Sequence, residues 1–283
     1  MDAGTTIGEA GEGATFRLTP ASGPPGPFVF ASPHSGRLYP PDMGARPLDE
    51  RSLRSAEDAM VDRLVASGPE RGAPLIAGLI GRGYVDLNRA ADELDARLIG
   101  GVAGTGASPR AMAGYGVIPR LSGDGQPLYD RRLTATEVAR RVARVHEPYH
   151  RALAQLMQAA RERHGRAVLV DWHSMPSTGK GPAGPDVVIG DRHGSSCDPA
   201  LTRRLRAGFE ALGWRVALNH PYAGGYSTRL WARRSDGFEA VQIELSRALY
   251  LDDTTLEPSA GWSRCEKGVA RVIAALTADT PGS

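Results

Sequence analysis

The sequence has little cysteine and no long apolar run. Two cysteines, Cys197 and Cys265, stand in 283 residues, which is too few for a disulfide scaffold or for a zinc site built from thiolates. Nowhere do about 18 apolar residues follow one another, as a membrane-spanning helix requires, and the N-terminus shows no basic segment followed by an apolar one. We therefore expect a protein of a reducing compartment, most simply the cytoplasm, with no membrane partner.

A surplus of charge of either sign is also missing. The 34 Lys and Arg residues nearly balance the 32 Asp and Glu residues, so the charge does not favour a nucleic acid or a membrane surface as the partner. Neither a Gly-x-Ser-x-Gly elbow nor a Walker sequence is present, which argues against a serine hydrolase and against a P-loop. We expect a small-molecule ligand, and the sequence does not indicate an oligomeric state.

Strands that alternate with helices predict a single α/β domain. Residues 1–26, rich in Gly, Thr, Ala and Pro, predict a mobile lead-in, and residues 27–283 predict one domain with a sizeable core. The alternation favours a mainly parallel sheet. Among the helices we expect one over Ser55–Gly68 and one over Thr134–His164, each opened by a capping box. Residues 92–130 have no period and predict a long loop over the ligand site.

Two apolar runs end in the same pair of residues. Phe28–Ser32 leads through a proline to His34-Ser35, and Ala167–Trp172 leads directly to His173-Ser174. Because ligands gather at the carboxyl ends of parallel strands, we expect the two imidazoles to meet at one edge of the sheet. Hydrolytic zinc sites use three protein ligands and keep one open position. The two histidines are therefore candidate ligands, the third being a carboxylate or another histidine; the alternative is that each is a structural, hydrogen-bonded histidine.

Five segments together resemble one enzyme family. They are, in chain order, Pro33-His34-Ser35-Gly36, Val85-Asp86-Leu87-Asn88-Arg89, His173-Ser174, Gly224-Gly225-Tyr226-Ser227-Thr228-Arg229 and Val241-Gln242-Ile243-Glu244-Leu245. Their order resembles that of the N-formylglutamate amidohydrolase family, which is similar to zinc carboxypeptidases and aspartoacylases. The resemblance implies a mixed, mainly parallel central sheet flanked by helices on both faces, zinc-carboxypeptidase-like, and a zinc-dependent hydrolase of an N-acylated amino acid.

The resemblance also implies a set of metal ligands. His34 and His173 match the metal histidines of the family. Arg37 stands where the carboxypeptidases keep their glutamate ligand, so the third ligand must lie elsewhere. Asp58 matches the aspartate that follows the loop in the family and is our prediction, with Glu57 next. The alternative for Asp58 is a first-turn acid that favours its helix by about 0.5–1 kcal/mol.

Glu244 is the candidate general base. It stands in the apolar strand Val241–Leu245, where an unpaired carboxylate is costly, and it matches the catalytic glutamate of the carboxypeptidase relatives. A glutamate there would take a proton from the attacking water and pass it to the leaving nitrogen. The alternative is a buried salt bridge with Arg247 or another arginine.

Arginines and nearby polar residues are the candidates for substrate binding. Arg229, after a flexible Gly-Gly pair, suits a substrate carboxylate, which arginine binds bidentately. Asn88 and Arg89 resemble the Asn-Arg pair of the aspartoacylases, and we expect Arg89 to stabilise the oxyanion. His220 and Tyr226 are expected to contact the substrate. For each arginine the alternative is a solvated surface residue.

These residues predict a zinc enzyme that cleaves N-formyl-L-glutamate to formate and L-glutamate, as in the last step of one route of histidine degradation. One alternative keeps the site and changes the substrate to another N-acyl amino acid or a formylated amine. The other alternative is a metal-free, non-catalytic ligand-binding protein with the same fold.

Overall fold

The chain folds around a seven-stranded sheet, in a computed structural model that describes residues 13–102, 108–176 and 184–278. Its strands are β1 (Phe16–Thr19), β2 (Phe28–Ser32), β3 (Leu75–Gly78), β4 (Ala167–Met175), β5 (Val187–Gly190), β6 (Val216–Leu218) and β7 (Phe238–Ser246). They lie in the order β1-β3-β2-β4-β7-β5-β6. Strands β3, β2, β4 and β7 are parallel, β5 is antiparallel to β7, and β1 is antiparallel to β3. The sheet is therefore mixed and mainly parallel, which confirms the prediction.

Eight α-helices, a few 3₁₀ turns and a small ribbon make up the rest of the regular structure in the described part of the chain. The helices are α1 (Glu50–Arg54), α2 (Val61–Leu64), α3 (Pro109–Met112), α4 (Ala135–Arg141), α5 (Glu147–His164), α6 (Pro199–Glu210), α7 (Tyr226–Trp231) and α8 (Trp262–Ala278). The ribbon pairs β8 (Leu251–Asp252) with β9 (Glu257–Pro258). No helix in the described ranges is both long and apolar enough to cross a membrane.

Apolar side chains cover both faces of the sheet. In β2, Phe28 and Phe30 point into one buried cluster, which also holds side chains of α2, α6 and α8. Val29 and Ala31 point into the other, with side chains of α4, α5 and α7. A parallel strand covered on both faces reads as a continuous apolar run. Helices therefore flank both faces, and polar side chains collect at the strand ends.

The predicted helix over Ser55–Gly68 is wrong. Helix α1 ends at Arg54, and α2 begins at Val61 after Met60, which has a left-handed φ of 62°. Between the two helices the Asp58 N–H donates to the His34 carbonyl oxygen at 2.9 Å. That bond ties the segment to the loop after β2 instead of to a helix, and it brings an acid to the sheet edge.

The other predicted elements differ less from the structure. The capping box at Thr134 and Glu137 is confirmed, and α4 continues into α5 through a π-helical turn at Val142–His146. Strand β1 lies within the stretch for which we expected a mobile lead-in, so the sheet begins earlier than the apolar pattern indicates. Of residues 92–130, the described part holds only the short helix α3, while residues 103–107 lie outside the described ranges.

Candidate active site

Two imidazoles meet at the carboxyl edge of the sheet. His34 follows the end of β2, and His173 lies near the end of β4, its parallel neighbour. Their ring centroids are 4.8 Å apart, and both side chains are buried. The strand pattern thus brings together the two histidines that the sequence singled out.

The third member of this cluster is Asp58. Its Oδ2 lies 2.9 Å from His173 Nδ1 and 3.2 Å from His34 Nδ1. One nitrogen from each ring and one oxygen of this carboxylate lie within 4.8 Å of one another. Glu57, the other candidate acid, faces elsewhere, since Tyr39 Oη donates to its Oε1 at 2.9 Å and Arg54 Nε to its Oε2 at 3.1 Å. Of the two acids, the structure brings only Asp58 to the histidines.

A second carboxylate contacts His34 from behind. Asp86 Oδ1 lies 2.7 Å from His34 Nε2. The Asp86 carboxylate only accepts, because the charges of Arg82 and His34 outweigh its burial and hold its pKa well below the usual range. His34 Nε2 therefore donates to Asp86, and Nδ1 faces Asp58 Oδ2. Such a carboxylate behind a histidine is the usual support of a metal ligand.

The Nε2 atom of His173 lies near one hydrogen-bond donor and one acceptor. Asn88 Nδ2, a donor, lies at 3.0 Å, and Asp171 Oδ2, an acceptor, lies at 3.1 Å. Asp171 is fully buried, and neither of its oxygens has a hydrogen-bond partner within the described ranges. Burying a bare carboxylate is costly, so Asp171 favours a proton on Nε2, whereas the Asn88 amide favours one on Nδ1, which lies 2.9 Å from Asp58 Oδ2. The charges of Asp171 and Asp58 outweigh burial and hold the pKa of His173 well above its usual range.

The Asp58 carboxylate is held in its charged form. Burial alone would raise its pKa, but hydrogen bonds from His173 and His34 outweigh burial and hold the pKa well below the usual range. Its Oδ1 accepts from Ser174 Oγ at 3.1 Å and lies 3.8 Å from Arg247 Nη2. Two imidazole Nδ1 atoms and one carboxylate oxygen thus converge, and with their Nδ1 protons released this donor set fits a hydrolytic zinc ion.

Glu244 lies beside His173 in the sheet. The two residues are register partners of β7 and β4, and Gln242 Nε2 donates to Glu244 Oε1 at 2.7 Å. Burial, with the nearby charge of Asp58, raises the pKa of Glu244 to about 8. The expected alternative, a salt bridge with Arg247, is wrong, because Arg247 donates to the carbonyl oxygens of Ser55 and Glu57 at 3.1 and 2.6 Å.

A cavity of about 290 Å³ opens onto this cluster. Its walls include all three cluster residues and Glu244, together with Asn88 and Arg89. The volume lies near the lower end of small-molecule sites. The lining also carries four arginines, Arg82, Arg89, Arg110 and Arg247, so the cavity is suited to an anionic ligand.

Three predicted substrate-binding residues lie outside this lining. The Arg229 side chain is 57% exposed and lies 3.7 Å from Glu93 Oε1. Tyr226 packs its ring edge-on against His150, at a centroid distance of 5.4 Å, and His220 is exposed. For Tyr226 and Arg229 the reason is the chain path at Gly225, where a Cβ would lie 2.4 Å from Asn88 Nδ2. The backbone itself lines the cavity at Gly224 and Gly225, and these two side chains of α7 do not.

Two carboxylates and an amide that support the site were not predicted from the sequence, although their positions in the sequence could have indicated them. Asp171 and Gln242 each stand two positions before a site residue, and residues two apart share one face of a strand. Asp86 stands in the same segment as Asn88 and Arg89. His146 is also buried near the site, and its Nε2 donates to the Arg89 carbonyl at 2.8 Å.

Comparison with known proteins identifies one enzyme family. The family model described as N-formylglutamate amidohydrolase matches residues 26–251. A protein of Pseudomonas aeruginosa named N-formylglutamate deformylase is 32% identical over 234 residues, covering 80% of this chain and 83% of its own. A Pseudomonas putida protein of the same name is 31% identical over 236 residues, covering 81% and 83%.

A solved structure agrees with the sequence relatives. The crystal structure of N-formylglutamate amidohydrolase from Ralstonia eutropha JMP134 superposes with a TM-score of 0.88 at 33% identity. The match covers 94% of this chain and 98% of that one. The similarity therefore extends over nearly the whole length of both proteins.

Proposed function

Because the chain belongs to the N-formylglutamate amidohydrolase family, we propose that it is a zinc-dependent hydrolase that cleaves N-formyl-L-glutamate to formate and L-glutamate. The names of its relatives support the substrate. The observation that carries the chemistry is the convergence of His34, Asp58 and His173 beside Glu244 in one cavity.

The metal would be held by the Nδ1 atoms of His34 and His173 and by the Asp58 carboxylate. Zinc in such a site supplies Lewis-acid polarisation of a carbonyl and lowers the pKa of water to roughly 7. The protein's part is to hold the Nδ1 atoms of both imidazoles towards Asp58, which Asp86 and Asp171 support from the Nε2 side of the rings.

Glu244 acts as the proton carrier. A group that takes a proton from water and then gives it to the leaving nitrogen works best with a pKa near the working pH. Burial brings Glu244 into that range, since its pKa is raised to about 8. The Gln242 amide donates to Oε1 of the carboxyl, which fixes the orientation of the group that must reach both water and amide nitrogen.

Arg89 stabilises the developing negative charge on the formyl oxygen. Its Nε donates to the Tyr115 carbonyl at 2.9 Å and its Nη1 to the Asn88 carbonyl at 2.8 Å. The guanidinium is therefore fixed at the cavity wall before substrate binds. A preorganised donor of this kind contributes about 3–4 kcal/mol to an oxyanion transition state.

Elemental analysis combined with substrate profiling tests the proposal. We expect one zinc per chain and a higher kcat/KM for N-formyl-L-glutamate than for N-acetyl-L-glutamate or for N-formyl derivatives of neutral amino acids. A higher kcat/KM for another acyl amino acid would identify that compound as the substrate instead. A folded chain that binds the ligand without zinc and without turnover would instead identify the non-catalytic binding protein.

A further inference from the structure

Of the four arginines that line the cavity, three are bound to acceptors of the protein itself. Arg82 donates to Asp86 Oδ2 at 2.9 Å. Arg89 and Arg247 each donate to two backbone carbonyl oxygens. The fourth, Arg110, is exposed, and within the described ranges it has no hydrogen bond and no ion pair to an acidic side chain. Its guanidinium is therefore the one in this lining that no acceptor of the described residues holds.

The place of Arg110 in the fold is defined. It stands in helix α3, where the Ser108 side chain accepts from the Ala111 N–H at 3.2 Å and donates to Glu93 Oε2 at 2.8 Å. The Arg110 carbonyl accepts from the Tyr115 N–H at 2.9 Å. These bonds anchor a short helix in an otherwise irregular segment and present its arginine to the cavity.

The charge of Arg110 acts on two other residues of the cavity lining. Burial lowers the pKa of Arg89, and the charges of Arg82 and Arg110 lower it further. The charge of Arg110 also acts on Tyr222, another residue of the lining. Arg82, by contrast, is influenced by Asp86, Asp58 and Glu244. Arg82 thus faces the acids of the cluster, whereas Arg110 acts on Arg89 and Tyr222.

We propose that Arg110 binds the side-chain carboxylate of the substrate and so selects a dicarboxylic N-acyl amino acid. This inference rests on the proposed function. The formyl carbon must reach the cluster, and the α-carboxylate is only two bonds from the amide nitrogen, so it stays close to Asn88 and Arg89. The side-chain carboxylate extends further out. There it meets the one lining guanidinium that is not bound to an acceptor of the described residues, and a guanidinium matches a carboxylate bidentately.

Kinetics on two isosteric substrates test the inference. N-formyl-L-glutamine replaces the side-chain carboxylate of N-formyl-L-glutamate by a neutral amide of nearly the same shape. We expect Arg110→Met to lower kcat/KM for the glutamate substrate by about 10- to 100-fold, mainly through KM, because a charged hydrogen-bond pair is lost. The change for the glutamine substrate should stay within about threefold. Arg206→Met, which removes an exposed arginine paired with Glu210 in α6, is the matched control.

The outcomes separate this inference from the proposed function. A wild-type enzyme that prefers N-formyl-L-glutamate, with the same preference in Arg110→Met, would overturn the role of Arg110 alone. Loss of the preference in Arg229→Met and not in Arg110→Met would also overturn it and assign the carboxylate to Arg229. A wild-type protein that fails to hydrolyse N-formyl-L-glutamate would overturn both.

Two buried histidines bind the backbone on either side of Asn88. His146 Nε2 donates to the Arg89 carbonyl at 2.8 Å, and His150 Nε2 donates to the Leu87 carbonyl at 2.9 Å. The two rings lie 4.2 Å apart. Because burial lowers the pKa of both imidazoles, that of His150 to about 3, the pair is neutral at physiological pH. Two fixed donors therefore hold the peptide carbonyls on either side of the residue that contacts His173.

We infer that His146 and His150 are positioning residues for Asn88 and Arg89 in the proposed reaction. Glutamine places an amide nitrogen where histidine has Nε2, whereas leucine keeps the bulk and removes the donor. We expect His146→Leu and His150→Leu to lower kcat per zinc-loaded chain by about tenfold or more with little change in KM, as for a group that acts in the transition state. The glutamine variants should recover most of that loss. Equal losses in the leucine and glutamine variants, or unchanged kcat per zinc in the leucine variants, would overturn the role.

Discussion

Replacing Glu244 by glutamine should have opposite effects on activity and on stability. The side chain is fully buried, and its pKa is raised from 4.5 to about 8. At pH 7 the folded protein therefore retains a proton that the unfolded chain releases. Between pH 4.5 and pH 7 this difference opposes folding by about 1.4 kcal/mol per pH unit, on the order of 3 kcal/mol in all. Glutamine is neutral in both states and keeps an oxygen that accepts from Gln242, so the metal-free variant should be more stable at pH 7.

Two assays check this prediction. Formate release should show kcat lower by about 10²- to 10⁴-fold, the usual contribution of a general base, with zinc content unchanged because Glu244 lies outside the three-ligand cluster. Urea unfolding of the metal-free proteins should show the stability gain at pH 7 and its disappearance at pH 4, below both pKa values. Glu239→Gln is the control on the same strand, where the side chain accepts from the Asp198 N–H at 2.6 Å. A variant with wild-type kcat, or one less stable at pH 7, would refute the reasoning.

The remaining predictions concern the ligands and the buried imidazoles. Asp58→Asn should reduce zinc to well below one per chain by elemental analysis, while Glu57→Gln should keep it; equal zinc in both would contradict the assignment. His34→Ala and His173→Ala should each lose zinc and turnover together, and full turnover in a zinc-free preparation of either would contradict the metal site. The folded-state pKa of His150 lies below the unfolded value of 6.5, at about 3, so the wild type should lose stability as pH falls through that window. The loss should exceed that of His150→Gln by about 1.4 kcal/mol per pH unit in urea titrations, and parallel curves would contradict it.

Local patterns in the sequence predicted the parts of the site that lie on strands. His34 and His173 each follow an apolar run, and the parallel pairing of those runs is what brings them together. Glu244 could be found because a carboxylate interrupts an apolar strand. In each case the signal spans fewer than about ten residues, which is the scale on which strand periodicity can be read.

The rest depends on contacts between distant segments. Asp58 reaches the site because its N–H is bound to the carbonyl of His34, 24 positions earlier, and no pattern near Asp58 encodes that bond. Arg110 stands in a segment without any period, so its approach to the cavity follows only from the fold. Strand β5 runs against β7, yet an apolar run reads the same in either direction. These are consequences of tertiary packing, which overrides local preference.

The π-helical turn at Val142–His146 has a consequence for how this chain can change over time. A π turn takes up one residue more than an α turn, and each residue of a helix rotates the next by about 100°. On one side of it, Arg141 donates to Tyr129 Oη and to the Met43 carbonyl at 2.7 and 2.6 Å; on the other, His150 meets the Leu87 carbonyl. Deleting one residue between them would leave a regular helix, but only one of those two faces could still meet its partners. Along this helix, substitutions are therefore easier to accommodate than a change of length.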